Sequence, residues 1–494
     1  MNIMTLLQMA AEADGERIAV GRHTDGLTLG ALFDTSGRLA SWVRLGGYER
    51  VVWTDIAGPL LPVALYGAAW AGTPFIPMNY RLADDRLRAL IAQQKPAVVL
   101  CEPGTEARFG GIDGITVVPT NTLISILADV ERAEEDWPDD ERIALLLYTS
   151  GTSGDPKAAI LRHDNLASYV LGSVDFLGAD PEEATLVTVP PYHIAGMAAI
   201  LSATFSGRRL VQLANFDAAE WVRTAREEGV THAMVVPTML ARINAVVAEG
   251  IDLPALRHLS YGGGRMPLPV IEQTMRLLPH AGFVNAYGLT ETSSSVAILG
   301  PDDHRAAIAS DDPAVQLRLG SVGLPLPTVE ISIRDIDGNE VEAGVHGEVW
   351  VRGDQVSGEY SHKDMREGEG WFPTSDGGYL DADGYLFVTG RLDDVIVRGG
   401  ENLSPGEIED VMLLHPEVKE VCVLGLPHDE WGEVVAAVVV PHDGVSPSSE
   451  ALADFVVLHL RSSRRPHTVV FRDELPTTDT GKVLRRVLRS ELTK

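Results

Sequence analysis

The sequence is poor in cysteine and in basic residues. Its two cysteines, Cys101 and Cys422, lie far apart and outside any CxxC pattern. They therefore indicate neither a disulfide framework nor a zinc site. The chain has 40 Lys and Arg against 70 Asp and Glu, a net charge of −30. Such a chain repels nucleic acid unless basic residues are concentrated, and the one such patch is RSSRR at 461–465. We expect no nucleic-acid partner.

Neither a basic leader nor a membrane span is indicated. The first residues, MNIMTLLQMAAEADGE, contain acids and no basic residue, unlike a signal peptide. Residues 56–78 carry no charge and are long enough to cross a bilayer. That segment also contains four prolines and several glycines, so a buried helix around 63–70 followed by a short strand is favoured. We expect no transmembrane segment and a cytoplasmic protein.

The chain of 494 residues is too long for one compact core, and two or three domains are expected. Helical stretches alternate with short β-branched runs through the first 300 residues or so, which predicts α/β layers with largely parallel sheets. Beyond about residue 320, alternating polar and apolar residues predict antiparallel hairpins, one with its turn at Asp383-Gly384. After Arg391 the pattern predicts a compact α+β unit. We place the domain boundary near Leu392-Asp393.

A loop rich in glycine and hydroxyl side chains follows the apolar run at 143–147. It reads YTSGTSGDPK from Tyr148 to Lys157. Such a loop can turn several backbone N–H groups toward one point and hold phosphate oxygens. It is not a Walker A motif, because Asp155-Pro156 precede the lysine. Composition alone leaves both a phosphate loop and an ordinary surface loop open.

The order of residues in this loop resembles the signature of the adenylate-forming superfamily, which includes acyl-CoA synthetases, standalone adenylation enzymes and luciferases. Six further segments resemble that family's motifs in the same order: PPYH at 190–193, YGGG at 261–264, YGLTE at 287–291, TSD at 374–376, GRLDD at 390–394 followed by GGEN at 399–402, and PTTDTGK at 476–482. The segment from 390 to 407 looks most like bacterial acyl- and aryl-CoA ligases of the benzoate, coumarate and medium-chain types.

The resemblance implies a fold and a reaction. It implies a large N-terminal AMP-binding domain, 1–391, of layered α/β subdomains with a small β-barrel-like subdomain, and a small mobile α+β domain, 392–494, hinged at Asp393. It implies ATP-dependent conversion of an aromatic or short to medium aliphatic acid to acyl-AMP with release of pyrophosphate. The acyl group then passes to CoA. ATP, Mg²⁺ and CoA are the implied cofactors.

Residue roles follow by matching positions to the family motifs. Glu291 with Thr149 would bind Mg²⁺, and Asp376 with Arg391 would hold the ribose. Lys482 would carry adenylation, and Gly400 would line the thiol tunnel. Implied contacts with nucleotide or CoA are Thr149, Ser150, Gly151, Thr152, Ser153, Gly154, Lys157, Gly262, Gly263, Gly264, Asn285, Ala286, Tyr287, Gly288, Thr290, Asp376, Arg391, Gly399, Gly400, Glu401 and Lys482.

Most residues expected to line the acid pocket are small or apolar, which suits an uncharged aromatic or aliphatic body. Its expected members are Tyr192, His193, Gly196, Met197, Pro237, Gly264, Ala286 and Thr292. His193 is assigned to catalysis as a gate or wall of this pocket, with a satisfied core histidine as the alternative. The acceptor stays open between CoA, an acyl carrier protein and another nucleophile. A weakly catalytic binding protein is the third hypothesis, and a homodimer stays open because dimers are common in the family.

Overall fold

The computed structural model describes residues 1–138, 141–149, 157–361, 363–399, 401–478 and 483–493. Its helices are α1 (Ile3–Asp14), α2 (Leu29–Leu45), α3 (Leu60–Ala71), α4 (Asp84–Ala92), α5 (Thr120–Leu127), α6 (His163–Ser173), α7 (Ile194–Ser206), α8 (Ala218–Glu227), α9 (Pro237–Val247), α10 (Leu268–Leu277), α11 (Pro301–Ala309), α12 (Pro313–Leu317), α13 (Pro405–Leu413), α14 (Ser449–His459) and α15 (Arg485–Leu492). Short 3₁₀ turns lie at Glu106–Arg108, Thr290–Thr292, Arg318–Gly320, Leu392–Asp394 and Ser462–Arg464.

The strands range from two to eleven residues in length. They are β1 (Ile18–Val20), β2 (Leu27–Thr28), β3 (Arg50–Thr54), β4 (Phe75–Pro77), β5 (Ala97–Cys101), β6 (Ile115–Pro119), β7 (Ile143–Thr149), β8 (Lys157–Arg162), β9 (Ala184–Val187), β10 (Arg209–Gln212), β11 (His232–Val235), β12 (His258–Gly262), β13 (Gly282–Leu289), β14 (Ser294–Leu299), β15 (Leu324–Pro325), β16 (Glu330–Arg334), β17 (Gly347–Arg352), β18 (Glu359–Tyr360), β19 (Lys363–Asp364), β20 (Phe372–Leu380), β21 (Leu386–Arg391), β22 (Ile396–Arg398), β23 (Glu401–Leu403), β24 (Val418–His428), β25 (Gly432–Pro441) and β26 (Thr468–Phe471).

Two large sheets take up most of the first 325 residues, and the second also includes the short strands β18 and β19 from 359–364. One has the order β15-β14-β13-β12-β11-β9-β10-β1-β2, and the other β19-β18-β8-β7-β4-β3-β5-β6. Buried apolar side chains of α1, α2, α3, α6 and α7 fill the space between them. Helices α8, α9 and α10 cover the outer face of the first sheet, and α4 covers that of the second. The predicted α/β layering is therefore confirmed, because each sheet needs helices on both faces to bury its parallel strands.

Two smaller sheets complete the chain. β16, β17, β20 and β21 form a four-stranded antiparallel sheet, which corresponds to the predicted barrel-like subdomain. The last hundred residues build an α+β unit on the long β24–β25 hairpin, with β22, β23 and β26 in the same sheet. The charge-free segment forms the buried helix α3 and the strand β4, as predicted. No helix in the described ranges has the length and hydropathy needed to span a membrane.

Candidate active site

Several of the predicted site residues meet at one edge of the nine-stranded sheet. β9, β11, β12 and β13 are parallel neighbours, so their carboxyl ends lie side by side. Tyr192 and His193 follow β9, and Pro237 follows β11. Gly262 ends β12, and the run from Asn285 to Leu289 ends β13. Ligands of open α/β sheets bind at this edge, since loops diverge there.

The strands at this edge approach one another closely. Gly262 is the register partner of Ala286, and a Cβ atom on Gly262 would overlap the Ala286 carbonyl oxygen. The amide of Asn285 donates to the carbonyl of Ser321 at 2.9 Å. Register pairing keeps Gly262 beside Ala286, and Gly263 and Gly264 continue the chain beyond the end of β12. The predicted cofactor contacts Gly262, Gly263, Gly264, Asn285, Ala286, Tyr287 and Gly288 therefore share the surface where these two strands end.

Asp376 is the centre of a buried polar group next to that surface. It is 6% exposed and accepts a hydrogen bond from the hydroxyl of Tyr287 at 2.6 Å. Arg391 is its register partner across β20 and β21 and donates to its Oδ1 at 3.3 Å. Arg391 also donates to the carbonyl of Thr374 at 3.0 Å. Burial, followed by the Asp376 carboxylate, raises the pKa of Tyr287 well above its ordinary value. Tyr287 therefore remains a donor to Asp376 at neutral pH.

The residue before Asp376 departs from the family pattern. Ser375 stands where the TGD motif has glycine, and its φ of +59° is in the left-handed region. That conformation favours glycine, because a Cβ crowds the backbone there. The N–H of Ser375 donates to Glu348 at 3.0 Å, which holds the turn in place.

Glu291 lies in the 3₁₀ turn after β13 and is 8% exposed. Its backbone carbonyl accepts the N–H groups of Ser357 at 2.9 Å and Gly358 at 3.2 Å. The hydroxyl of Tyr360 donates to its Oε1 atom. Burial and the nearby Glu291 carboxylate raise the pKa of Tyr360, so this phenol stays protonated at neutral pH. A buried carboxylate in the turn after β13 fits Mg²⁺, which prefers few protein oxygens together with phosphate.

The residues predicted for the acid pocket divide into two groups. The Tyr192 ring contacts the ring of Tyr80, with centroids 5.6 Å apart, and that of His193 at 4.8 Å. These three rings form one aromatic wall. Met197 and Thr292, by contrast, are fully buried. The Thr292 hydroxyl accepts the Leu289 N–H at 2.9 Å and donates to backbone carbonyls of the same turn. The Thr292 side chain thus supports the turn that carries Glu291.

Several predicted residues lie outside the described residues. These are Ser150, Gly151, Thr152, Ser153 and Gly154 of the loop, Gly400 of the thiol tunnel, and Lys482. Lys157 begins β8 with an exposed side chain, and its register partner Thr149 ends β7. The ends of the loop are therefore joined by antiparallel strands. Among the described residues no group of three or more His, Cys, Asp or Glu side chains could hold a metal ion.

Comparison with known proteins identifies the family. The model described as AMP-binding enzyme matches residues 7–361, and the AMP-binding enzyme C-terminal domain matches 407–482. This chain belongs to the AMP-binding enzyme family. The predicted membership of the adenylate-forming superfamily, in its acyl- and aryl-CoA synthetase branch, is confirmed.

Relatives of this AMP-binding enzyme match it over most of its length. Indoleacetate–CoA ligase of Aromatoleum aromaticum is 32% identical, covering 90% of this chain and 89% of the relative. 2-Succinylbenzoate–CoA ligase of Bacillus licheniformis is 33% identical and covers 98% of each. The solved o-succinylbenzoate CoA synthetase MenE of Bacillus subtilis, in complex with the acyl-adenylate OSB-AMP, is 28% identical, covers 98% of this chain and 97% of its own, and superimposes with a TM-score of 0.84. MenE has also been solved with ATP and a magnesium ion.

The C-terminal region of this AMP-binding enzyme contacts the N-terminal region through charged and polar groups. Arg265, just after the glycines of β12, forms an ion pair with Asp410 of α13. The Ser404 hydroxyl donates to the Thr389 carbonyl at 2.7 Å. Desolvation by burial raises the pKa of Asp410 to about 6, despite the adjacent Arg265. The predicted hinge, Asp393, lies in the short turn between β21 and β22.

The arginines of 461–465 are largely engaged within the C-terminal region. Arg464 pairs with Glu401 and with Glu407 of α13, the latter at 3.3 Å. Arg465 pairs with Asp454 at 2.9 Å. The basic patch seen in the sequence is therefore locally neutralised. Arg464 also lowers the pKa of Glu401, a predicted cofactor contact.

Sequence reasoning missed two residues of this site. Tyr360 contacts Glu291 although 69 residues separate them. Tyr80, in the segment after β4, reaches Tyr192 from the other large sheet. Neither residue belongs to a periodic pattern or to one of the seven motifs, and their positions depend on how the sheets pack. A tyrosine near a motif carries no signal of its own, because most tyrosines are simply packed in the core.

Proposed function

We propose that this protein joins a carboxylic acid to CoA in two steps. A carboxylate oxygen attacks the α-phosphorus of ATP, the α–β bridge bond breaks and pyrophosphate leaves. The CoA sulfur then attacks the acyl carbonyl, AMP leaves, and a thioester forms. The observation that carries this proposal is the Tyr287–Asp376–Arg391 group, adjacent to Glu291 at the same sheet edge. Family membership and relatives named as CoA ligases support it.

Each described residue has a defined task in this proposal. Asp376 accepts hydrogen bonds from the ribose hydroxyls, while Tyr287 lies beside the adenine. Glu291 and Thr149 hold Mg²⁺, which offsets phosphate charge when it is bound. The acid lies against Tyr192, His193 and Pro237. Fixing both reactants in one orientation supplies much of the rate, because the attack becomes effectively unimolecular.

The acid is proposed to have an uncharged aromatic or aliphatic body. The wall of Tyr80, Tyr192 and His193 offers ring faces and edges, which suit a planar ring or an alkyl chain. The N-terminal domain, 1–391, and the C-terminal domain, 392–494, are proposed to rotate about Asp393 between the two steps. Lys482 serves the first step, and the segment at Gly399, Gly400 and Glu401 serves the second.

The test is acid-dependent exchange of labelled pyrophosphate into ATP, run over a panel of aromatic and aliphatic acids. Each active acid is then tested for thioester formation with CoA and with phosphopantetheinyl carrier proteins. We expect exchange with uncharged acids and consumption of the acyl-adenylate by CoA. Acyl-adenylate consumed only by a carrier protein would assign the alternative acceptor. No exchange with any acid would contradict the proposal.

Two variants in the same assay separate the half-reactions. Lys482→Ala should abolish pyrophosphate exchange and leave thioester formation from supplied acyl-adenylate intact. Gly400→Leu should do the reverse, because a side chain would obstruct the pantetheine arm. Lys419→Ala, at an exposed position on β24, is the matched lysine control. Equal loss of both half-reactions in Lys482→Ala would refute domain alternation here.

A further inference from the structure

We infer that Tyr360 is a positioning residue for the metal-binding carboxylate of Glu291. The phenol donates to Oε1 of Glu291, and this fixes the rotation of the carboxylate group about its last bond. The other oxygen, Oε2, is then presented in one orientation. This inference rests on the proposed function, in which Glu291 binds Mg²⁺.

The position of Tyr360 is set by the strand that follows the phosphate loop. Tyr360 pairs in register with Ala159 of β8, and Glu359 pairs with Ile160. The Arg162 guanidinium donates two hydrogen bonds to the Glu359 carboxylate, at 3.0 and 2.9 Å. Strand β18 is therefore anchored to the strand that begins at Lys157.

The segment 357–360 also forms hydrogen bonds with the backbone of Glu291. Ser357 and Gly358 donate their N–H groups to the Glu291 carbonyl, and the Ser357 hydroxyl donates to the Ile160 carbonyl. Residues 357–360 thus connect the end of the phosphate loop to both the main chain and the side chain of Glu291. This arrangement gives Tyr360 a task that burial alone does not explain.

A neutral donor suits this task. A lysine or arginine at the same place would cancel the negative charge that attracts Mg²⁺, whereas a phenol orients the carboxylate and leaves its charge in place. Partners that orient a metal ligand typically change metal affinity about 10- to 100-fold when removed.

The experiment measures Mn²⁺ binding, by electron paramagnetic resonance, to the full-length enzyme with a non-hydrolysable ATP analogue. Tyr360→Phe should weaken Mn²⁺ binding about 10-fold or more, and thioester formation from supplied acyl-adenylate should change less than about twofold. Tyr385→Phe is the matched control, because Tyr385 also donates its hydroxyl to a carboxylate, that of Asp303, at 2.7 Å. Tyr385 lies immediately before β21, at the end of that strand opposite Arg391. This control variant should bind Mn²⁺ like the unmodified enzyme.

Glu291→Gln and the double variant separate the inference from the proposed function. If Tyr360 acts through Glu291, then Tyr360→Phe adds no further loss in the Glu291→Gln background. Weak Mn²⁺ binding in Glu291→Gln but normal binding in Tyr360→Phe would overturn the inference alone. Normal binding in Glu291→Gln would overturn the metal role of Glu291, and the inference with it. Additive losses would assign Tyr360 a structural effect and also overturn the inference.

Discussion

The predicted ribose acceptor, Asp376, offers a quantitative test of the site. Its two carboxylate oxygens face different donors, since Oδ1 accepts Arg391 at 3.3 Å and Oδ2 accepts Tyr287 at 2.6 Å. Asp376→Asn keeps the volume of the side chain but removes its charge. The ribose hydroxyls would then meet a neutral amide where they had met a carboxylate.

The magnitude follows from the charge of the acceptor. A hydrogen bond to an ionised group contributes about 1.5–3 kcal/mol, and one between neutral groups about 0.5–1.5 kcal/mol. Removing one ribose hydroxyl from ATP should therefore weaken binding to the unmodified enzyme about 10- to 150-fold. In Asp376→Asn the same removal should weaken binding only about 2- to 10-fold.

The assay is acid-dependent pyrophosphate exchange with ATP, 2′-deoxy-ATP and 3′-deoxy-ATP, comparing KM values. The deciding quantity is the ratio of the KM for each deoxy analogue to the KM for ATP, measured in the same variant. Any general damage to the site affects both KM values and cancels in this ratio. Asp303→Asn is the matched control, because Asp303 also accepts a tyrosine hydroxyl, from Tyr385 at 2.7 Å. It should leave both ratios unchanged. Equal ratios in Asp376→Asn and in the unmodified enzyme would refute the assignment of Asp376 to the ribose.

Two further predictions concern packing and the contact between the regions. A Cβ atom on Gly288 would lie 2.6 Å from the carbonyl carbon of Ser294, whereas one on Gly264 would make only ordinary contacts, the nearest at 3.9 Å. Gly288→Ala should therefore lower the melting temperature and abolish ATP binding, and Gly264→Ala should leave the melting temperature unchanged. The raised pKa of Asp410 means that the folded state gains stability from its protonation at low pH, and that this gain is lost as pH rises through about 6. Asp410→Asn should thus stabilise the enzyme at pH 7.5 by about 1 kcal/mol, discounted for partial exposure, and flatten the dependence on pH in urea unfolding. Arg265→Ala should destabilise the enzyme. If Asp410→Asn destabilised it as much as Arg265→Ala, the ion pair between the two residues would outweigh the desolvation of Asp410, and the prediction would be wrong.

Much of the fold could be predicted because its strongest signals are local. The helix α3, Leu60–Ala71, is apolar all round and is buried between the two large sheets. The hairpin of β20 and β21 follows from alternation on either side of Asp383-Gly384. The C-terminal strand β25 is rich in valine and alanine, and it pairs with β24 in the α+β unit expected after Arg391.

The rest depends on distant parts of the chain. Tyr360 reaches Glu291 from β18, which pairs with β8, the strand that follows the glycine-rich loop. The sequence shows that a serine stands at position 375. It does not show that the backbone there is left-handed, which is the conformation that strains a serine. The resemblance to the family predicts Thr292 in the acid pocket. In the structure, the Thr292 hydroxyl donates to backbone carbonyls of the turn that carries Glu291. Side-chain direction at a given motif position depends on such contacts.

The donors around the two site carboxylates match the ligands proposed for them. Asp376 is paired with a cation, Arg391, as well as with a phenol. Its proposed ligand, a ribose, is neutral, and the pairing with Arg391 offsets the desolvation of a buried carboxylate. Glu291 is held by the phenol of Tyr360 instead. Its proposed ligand is a cation, and a guanidinium there would repel it. If the two sets of donors were exchanged, the Asp376 carboxylate would be a buried charge without a cation beside it. The charge of the Glu291 carboxylate would be neutralised by the guanidinium. The chemistry of the donors therefore agrees with the roles proposed for Asp376 and Glu291.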